Sequence, residues 1–322
     1  MPHSHAHSRL EHLPISLFAT VMGLAGLTIA TQKAGQFWGF GDWPALALTM
    51  LASLVYASLF IAYTVKWLKY PEAVKHEFAH PIRLSFFPAS SIGLILLSIV
   101  YLPYSKEVAL YLWAVGASVQ LLFTLVILSN WIHHDRFQIQ HSNPAWFIPI
   151  VGNILVPVAG AELGFMEVSW FFYSIGLMMW LPLLAVLLNR FFFHPMMPGK
   201  LLPTLFILIA PPAVGFISWM KLHHGSLDDV ARILYYFALF TTLLLMSQYK
   251  FFVKLEFALP WWAYSFPIAA ISIASFVMLE HIGGTFFNLL SSVLYLALVI
   301  LMLTLVIKTI KAMIAGHICV PE

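Results

Sequence analysis

Residues 286–307 read FFNLLSSVLYLALVILMLTLVI, without one Asp, Glu, Lys or Arg. A bilayer core about 30 Å thick takes about 20 helical residues to cross, so a run of this length and composition is a membrane span. Nine further runs share its character: 14–31, 44–65, 86–102, 108–131, 145–161, 168–188, 201–220, 233–249 and 258–279. The chain carries 16 Lys and Arg and 13 Asp and Glu, and all of them fall outside these runs. A charged side chain at the centre of an inserting helix costs about 2.5–3.5 kcal/mol, which sweeps charge into the loops. The fold class is therefore an all-α polytopic membrane protein of ten transmembrane helices.

Composition agrees and narrows the function. Of 322 residues, 61% are hydrophobic and 9% charged, against about 25% charged in a soluble domain. A water-soluble enzyme is excluded, and no catalytic constellation or cofactor motif emerges. Ten spans leave room for a short N-terminal tail (1–13), the membrane domain (14–310) and a short C-terminal tail (311–322). The net charge of +3 is ordinary for basic cytoplasmic loops and implies no nucleic-acid partner. The single cysteine, Cys319, reads as an inert tail thiol, and no cleavable signal peptide is expected.

Ten spans put both termini on one side. That side carries Arg9, Lys66, Lys69, Lys75, Arg83, Arg136, Arg190, Lys200, Lys250, Lys254, Lys308 and Lys311, and the other only Lys33, Lys106, Lys221 and Arg232. Basic residues are retained in the cytoplasm during insertion, so both termini are expected there, in the inner or plasma membrane with lipid as solvent.

Proline adds a second pattern. Pro88 falls in the third run, Pro149 and Pro157 in the fifth, Pro211 and Pro212 in the seventh and Pro267 in the ninth, with Pro14 opening the first; Pro182 in the sixth is the exception. An interior proline removes a helical hydrogen bond, kinks the helix and leaves carbonyls that only protein or water can cover. The odd spans are thus expected to be kinked and to form an inner layer lining a central pore. Each pairs with a straighter even span in one of five helical hairpins. Gly93, Gly152, Gly160 and Gly215 on odd spans either leave room for a lumen or allow close helix packing.

The start of the fifth run, with the residue before it, reads Pro144-x-x-x-x-Pro149-x-x-Gly152-Asn153, and the ninth contains Trp262-x-Tyr264-Ser265-Phe266-Pro267. These segments, with the ten-span layout, resemble the family that contains bacterial TehA-type proteins, fungal malate permeases and the slow-type anion channels of plant guard cells. The resemblance implies a homotrimer whose subunits each hold a pore lined by the odd helices and closed at mid-membrane by an aromatic side chain. Phe266 matches that gate. The implied partners are inorganic anions, chloride or nitrate, moving passively; the alternatives are a C4-dicarboxylate secondary transporter and a tellurite or oxyanion resistance factor.

Without charge in the spans, selectivity is expected to follow how readily an anion sheds water, helped by dipoles near Ser90, Asn153 and Ser265. Asn153 could instead tie two helices together. Among the histidines, His3, His5 and His7 alternate in the N-terminal tail, and His133–His134 and His223–His224 pair in loops; no metal site is expected. Glu162, Glu167, Asp228 and Asp229 read as solvated loop acids.

Overall fold

The computed structural model describes residues 9–320, and its described residues contain helix and no strand. The helices are α1 (Phe18–Trp38), α2 (Trp43–Lys69), α3 (Pro71–Ala79), α4 (Ala89–Tyr101), α5 (Lys106–His133), α6 (Phe147–Gly160), α7 (Met166–Phe193), α8 (Ala210–Leu222), α9 (Asp229–Ser247), α10 (Tyr249–Val253), α11 (Ser265–Ile282) and α12 (Gly284–Ile314). Among the described residues nine helical segments are long and apolar enough to cross a membrane, and Pro144–Gly160 is a shorter apolar helix in the position of the fifth span. In hydrocarbon every backbone N–H and C=O must be satisfied within the segment, which overrides the weak helix propensity of the many Ile, Val and Phe residues.

Five hairpins are present: α1 packs on α2, α4 on α5, α6 on α7, α8 on α9 and α11 on α12. The first member of each also touches the next, α1 to α4 to α6 to α8 to α11 and back to α1, so five inner helices close a ring. Burial follows this order. The spans built on α1, α4, α8 and α11 are 72%, 83%, 78% and 89% buried, and every residue of α6 is buried. Those on α2, α5, α7, α9 and α12 are 17–39% buried and present large apolar side chains outward, among them Leu54, Leu122, Met178, Phe240 and Ile300.

The expected proline kinks are corrected. Each inner span begins with a 3-10 segment (Ile15–Leu17, Arg83–Phe86, Pro144–Trp146, Gly199–Ile209 and Leu259–Tyr264) and then becomes α-helical. Pro88 sits just before Ala89, and Pro149, Pro211, Pro212 and Pro267 lie in the first turns of α6, α8 and α11. First-turn N–H groups have no partner within the helix, so proline there costs no hydrogen bond and sets φ for the joint. Among the described residues, only Pro157 in α6 and Pro182 in α7 remain interior to α-helices.

The helices also outrun the apolar runs. α1 continues to Trp38 and carries Lys33, whose Nζ lies 3.0 Å from Glu280 Oε2 of α11, and α12 continues to Ile314, past the boundary expected at 310. α3 was not foreseen. Glu77 fastens it: the carboxylate accepts from Ile15 N at 2.7 Å, Tyr63 Oη at 2.9 Å and Lys66 Nζ at 2.8 Å, while Lys66 Nζ also donates to Leu13 O at 2.8 Å. Both side chains of this ion pair are about 5% exposed or less.

Candidate functional site

A cavity of about 1470 Å³ lies between the ends of the inner spans, α3 and the C-terminal end of α12, on the side carrying both termini; Glu11 and His12 line it together with His317 and Cys319. Every inner span reaches it. The innermost lining residues are Met22 of α1, Phe86 before α4, Ile148 of α6, Ile207 before α8, and Phe266 with Pro267 of α11. All are apolar, so no charged side chain lines this inner part of the cavity.

Phe266 is 8% exposed and sits in the first turn of α11, immediately after the 3-10 segment. Its ring lies against α1 where that helix has no side chain: a Cβ added to Gly26 would stand 3.5 Å from Phe266 Cδ2 and only 2.7 Å from the Ala269 Cβ. Gly26 thus admits both the approach of α11 and the ring. Gly23 does the same one turn earlier, where an added Cβ would meet Ser265 Oγ at 2.4 Å.

The other sequence-derived candidates face neighbouring helices. A Cβ at Gly93 would touch the Tyr56 ring of α2 at 3.1 Å, at Gly152 the Gln120 amide of α5 at 2.4 Å, and at Gly160 Ser169 Oγ of α7 at 2.5 Å. Gly215 is looser, with Leu234 at 3.7 Å, and its carbonyl accepts from Tyr173 Oη at 3.1 Å. These contacts support the packing role of glycine. Ser90 Oγ donates to Phe87 O at 2.7 Å and Ser265 Oγ to Trp262 O at 2.6 Å, so both hydroxyl protons are used within their own turn. Asn153 is fully buried, and its Nδ2 donates to Thr124 Oγ1 of α5 at 2.9 Å and to the carbonyls of Pro149 and Ile150. It ties α6 to α5. Asn153 Oδ1 and Ser272 Oγ are buried without a hydrogen-bond partner among the described residues; Ser272, on α11, was not singled out by the sequence.

Charge gathers at the mouth instead. Arg83, Lys200, Lys308 and Lys311 line the cavity, as do Lys66 and Glu77, which neutralise each other. Four histidines, His12, His76, His80 and His317, stand among them. Burial, followed by the charges of Arg83, His76 and His141, pushes the His80 pKa below its ordinary value. The neutral ring uses Nδ1 to accept from Ile82 N at 3.1 Å and Arg83 N at 3.3 Å, turning the chain into the second inner span. This cluster was illegible in the sequence because its members come from separate segments.

At the opposite end two ion pairs form. Lys33 meets Glu280, and Lys221 meets Glu162. Asp228 caps α9 by accepting from Ala231 N at 2.9 Å and also accepts from Trp219 Nε1 at 2.9 Å. The cap holds the Asp228 carboxyl below the usual range. His223 stacks on Trp219, with ring centroids 4.0 Å apart. Among the described residues no three His, Cys, Asp or Glu side chains gather where they could hold a metal ion, and His3, His5 and His7 lie outside the described residues.

Comparison with known proteins bears directly on this geometry. The family described as voltage-dependent anion channel matches residues 12–310. The S-type anion channel SLAH3 of Arabidopsis thaliana is 28% identical over 308 residues, 94% of this chain and 48% of the relative. An uncharacterized transporter of Methanocaldococcus jannaschii is 24% identical over 335 residues, 97% of this chain and 98% of the relative. The tellurite resistance protein TehA homolog of Haemophilus influenzae is 25% identical over 261 residues, 81% and 79% of the two chains. The chain spans about half the length of SLAH3 and of two further plant relatives, SLAH2 and SLAC1.

Proposed function

Because this chain belongs to the voltage-dependent anion channel family, a family of channels and transporters and not of enzymes, we propose that it is a gated channel for small monovalent anions. Chloride and nitrate are the ions expected to pass. The observation that carries the reading is the cavity at the terminal end of the inner ring, which every inner span reaches and whose lining at Phe266 is apolar. Phe266 is the gate: its ring blocks the axis without binding the ion, and rotating it off a favoured rotamer costs about 0.5–1.5 kcal/mol. Apolar walls around the gate favour weakly hydrated anions. Pro88, Pro157, Pro211 and Pro267 shape the inner spans around it, and Ser272 Oγ offers an unused dipole beyond the gate.

The subunit is proposed to assemble as a homotrimer in a cellular inner or plasma membrane with both termini in the cytoplasm, each subunit keeping its own ring. The apolar outer helices supply faces for lipid and for neighbouring subunits. Purified protein in a planar bilayer, with anions exchanged on one side, tests the reading. Currents that reverse at the anion equilibrium potential and ignore a pH gradient support it, and obligatory coupling to protons refutes it.

One observation favours a second reading, secondary transport of C4-dicarboxylates: the cationic residues at the mouth would attract a doubly charged substrate. The inner lining counts against it, because Met22, Ile148, Ile207 and Phe266 offer such a substrate no basic side chain. Tellurite or oxyanion resistance rests on one relative's name and gains nothing from the geometry.

A further inference from the structure

We propose that the mouth of the cavity is a binding site for a soluble multivalent phosphate-type anion, which seats among Lys200, Lys308 and Lys311 and plugs the pore from the terminal side. The inference rests on reading this cavity as the pore mouth.

Charge is divided unevenly along the cavity. With Lys66 and Glu77 cancelling each other, Lys200, Lys308 and Lys311 of the lining stand against Glu11. Lys200, Lys308 and Lys311 form no ion pair among the described residues. Lys308 Nζ instead rests over aromatic faces, 5.2 Å from the Trp261 centroid and 6.0 Å from that of Phe257. Ring faces hold an ammonium in place and leave its charge uncancelled. Walls of low dielectric focus the resulting field into the cavity.

This arrangement separates holding an ion from passing one. A lysine ammonium is a compact point charge well suited to phosphate oxygens, and several around one cavity reward an anion for each charge it carries. Past the mouth the walls become Met22, Ile148, Ile207 and Phe266, which replace none of the lost water. The cost of dehydrating an ion grows with the square of its charge, so a monovalent anion crosses where a multivalent one stops. A cavity of about 1470 Å³ admits such an anion with its hydration shell. Lipid phosphate has the same chemistry, but the cavity is built from the ends of the inner spans and the terminal segments, which face the aqueous side, and a soluble anion is therefore the ligand.

The test uses inorganic pyrophosphate. In nanodiscs of phosphatidylcholine alone, pyrophosphate is expected to bind the whole protein by calorimetry and to raise its unfolding temperature. The combined variant Lys200→Gln, Lys308→Gln, Lys311→Gln, shown to be folded by its unchanged melting without ligand, is expected to bind at least tenfold more weakly. Raised salt should weaken binding to the parent. In planar bilayers, chloride current through Phe266→Ala should be blocked by pyrophosphate on the side of the C-terminus, located by an epitope tag, and not from the other side. Equal affinity in the parent and triple variant overturns the site, as does a response to phosphatidic acid in the nanodisc with none to pyrophosphate. Equal block from both sides overturns the plug. Binding without any anion current would contradict the channel reading while leaving the site in place.

Discussion

Replacing Glu77 with Ala is expected to destabilise the protein by about 3–5 kcal/mol, the usual consequence of stranding one member of a buried ion pair. The carboxylate accepts three hydrogen bonds at 2.7–2.9 Å, from Ile15 N, Tyr63 Oη and Lys66 Nζ. Removing it leaves the Lys66 ammonium with Leu13 O as its recorded acceptor and leaves Ile15 N, at the start of the first inner span, without one. Glu77→Gln keeps one acceptor but presents an NH₂ group to surrounding donors, for a smaller loss of about 1–3 kcal/mol. Adding Lys66→Met to Glu77→Leu removes the stranded cation, so the pair should recover part of the loss, with a coupling of about 0.5–3 kcal/mol in the double-mutant cycle. Recovery stays incomplete because Ile15 N still lacks its acceptor. The assay is equilibrium unfolding of purified protein in mixed micelles, followed by tryptophan fluorescence. A loss below about 1 kcal/mol for Glu77→Ala, the value of a solvent-exposed pair, would refute the reasoning that this pair fastens α3 to the pore mouth.

Gly152→Ala is expected to cost about 1–3 kcal/mol by overpacking, since its Cβ would lie 2.4 Å from Gln120 Nε2; a neutral change in unfolding free energy would show that α5 yields easily. Asp228→Ala should cost about 1 kcal/mol through loss of the α9 cap. The folded pKa of Asp228 is lowered, chiefly by the hydrogen bond from Ala231 N. Its contribution is therefore present above the unfolded carboxylate value and lost as pH falls through the folded one; a difference between parent and variant that does not shrink in acid contradicts the cap. Cysteines placed at 225–228 should react with an impermeant thiol reagent added outside, and one at Lys75 should not; reversed labelling overturns the proposed topology.

The spans were legible because the cost of burying charge acts on every residue of a run, and the alternation of layers because proline and glycine were concentrated in the odd spans. The detail behind proline was misread. At Pro88, Pro149, Pro211 and Pro267 the sequence cannot distinguish an interior kink from a first-turn joint, since both place proline inside an apolar run, and the 3-10 segments that precede each joint have no separate hydropathy. Gly93, Gly152 and Gly160 were recognisable as close-approach positions but not as facing outer helices. Lys66 and Glu77 lay outside the apolar runs and read as loop charges, because nothing local shows that one buries against the other. The cavity mouth was hidden for the same reason: Arg83, Lys200 and Lys308 meet only when the ring of inner helices closes.

The central claim, that the Phe266 ring closes an anion path, is tested most directly by anion current through purified Phe266→Ala in a planar bilayer, with unfolding measured on the same sample. Pro267 and the 3-10 joint remain in place, so the ring alone is removed. The account predicts a folded protein whose chloride conductance rises well above the parent's, with Phe266→Leu between the two and the preference for weakly hydrated anions unchanged. If the ring were ordinary packing, truncation would leave a cavity costing about 3–5 kcal/mol and create no path. A folded Phe266→Ala protein that conducts no better than the parent would contradict the account.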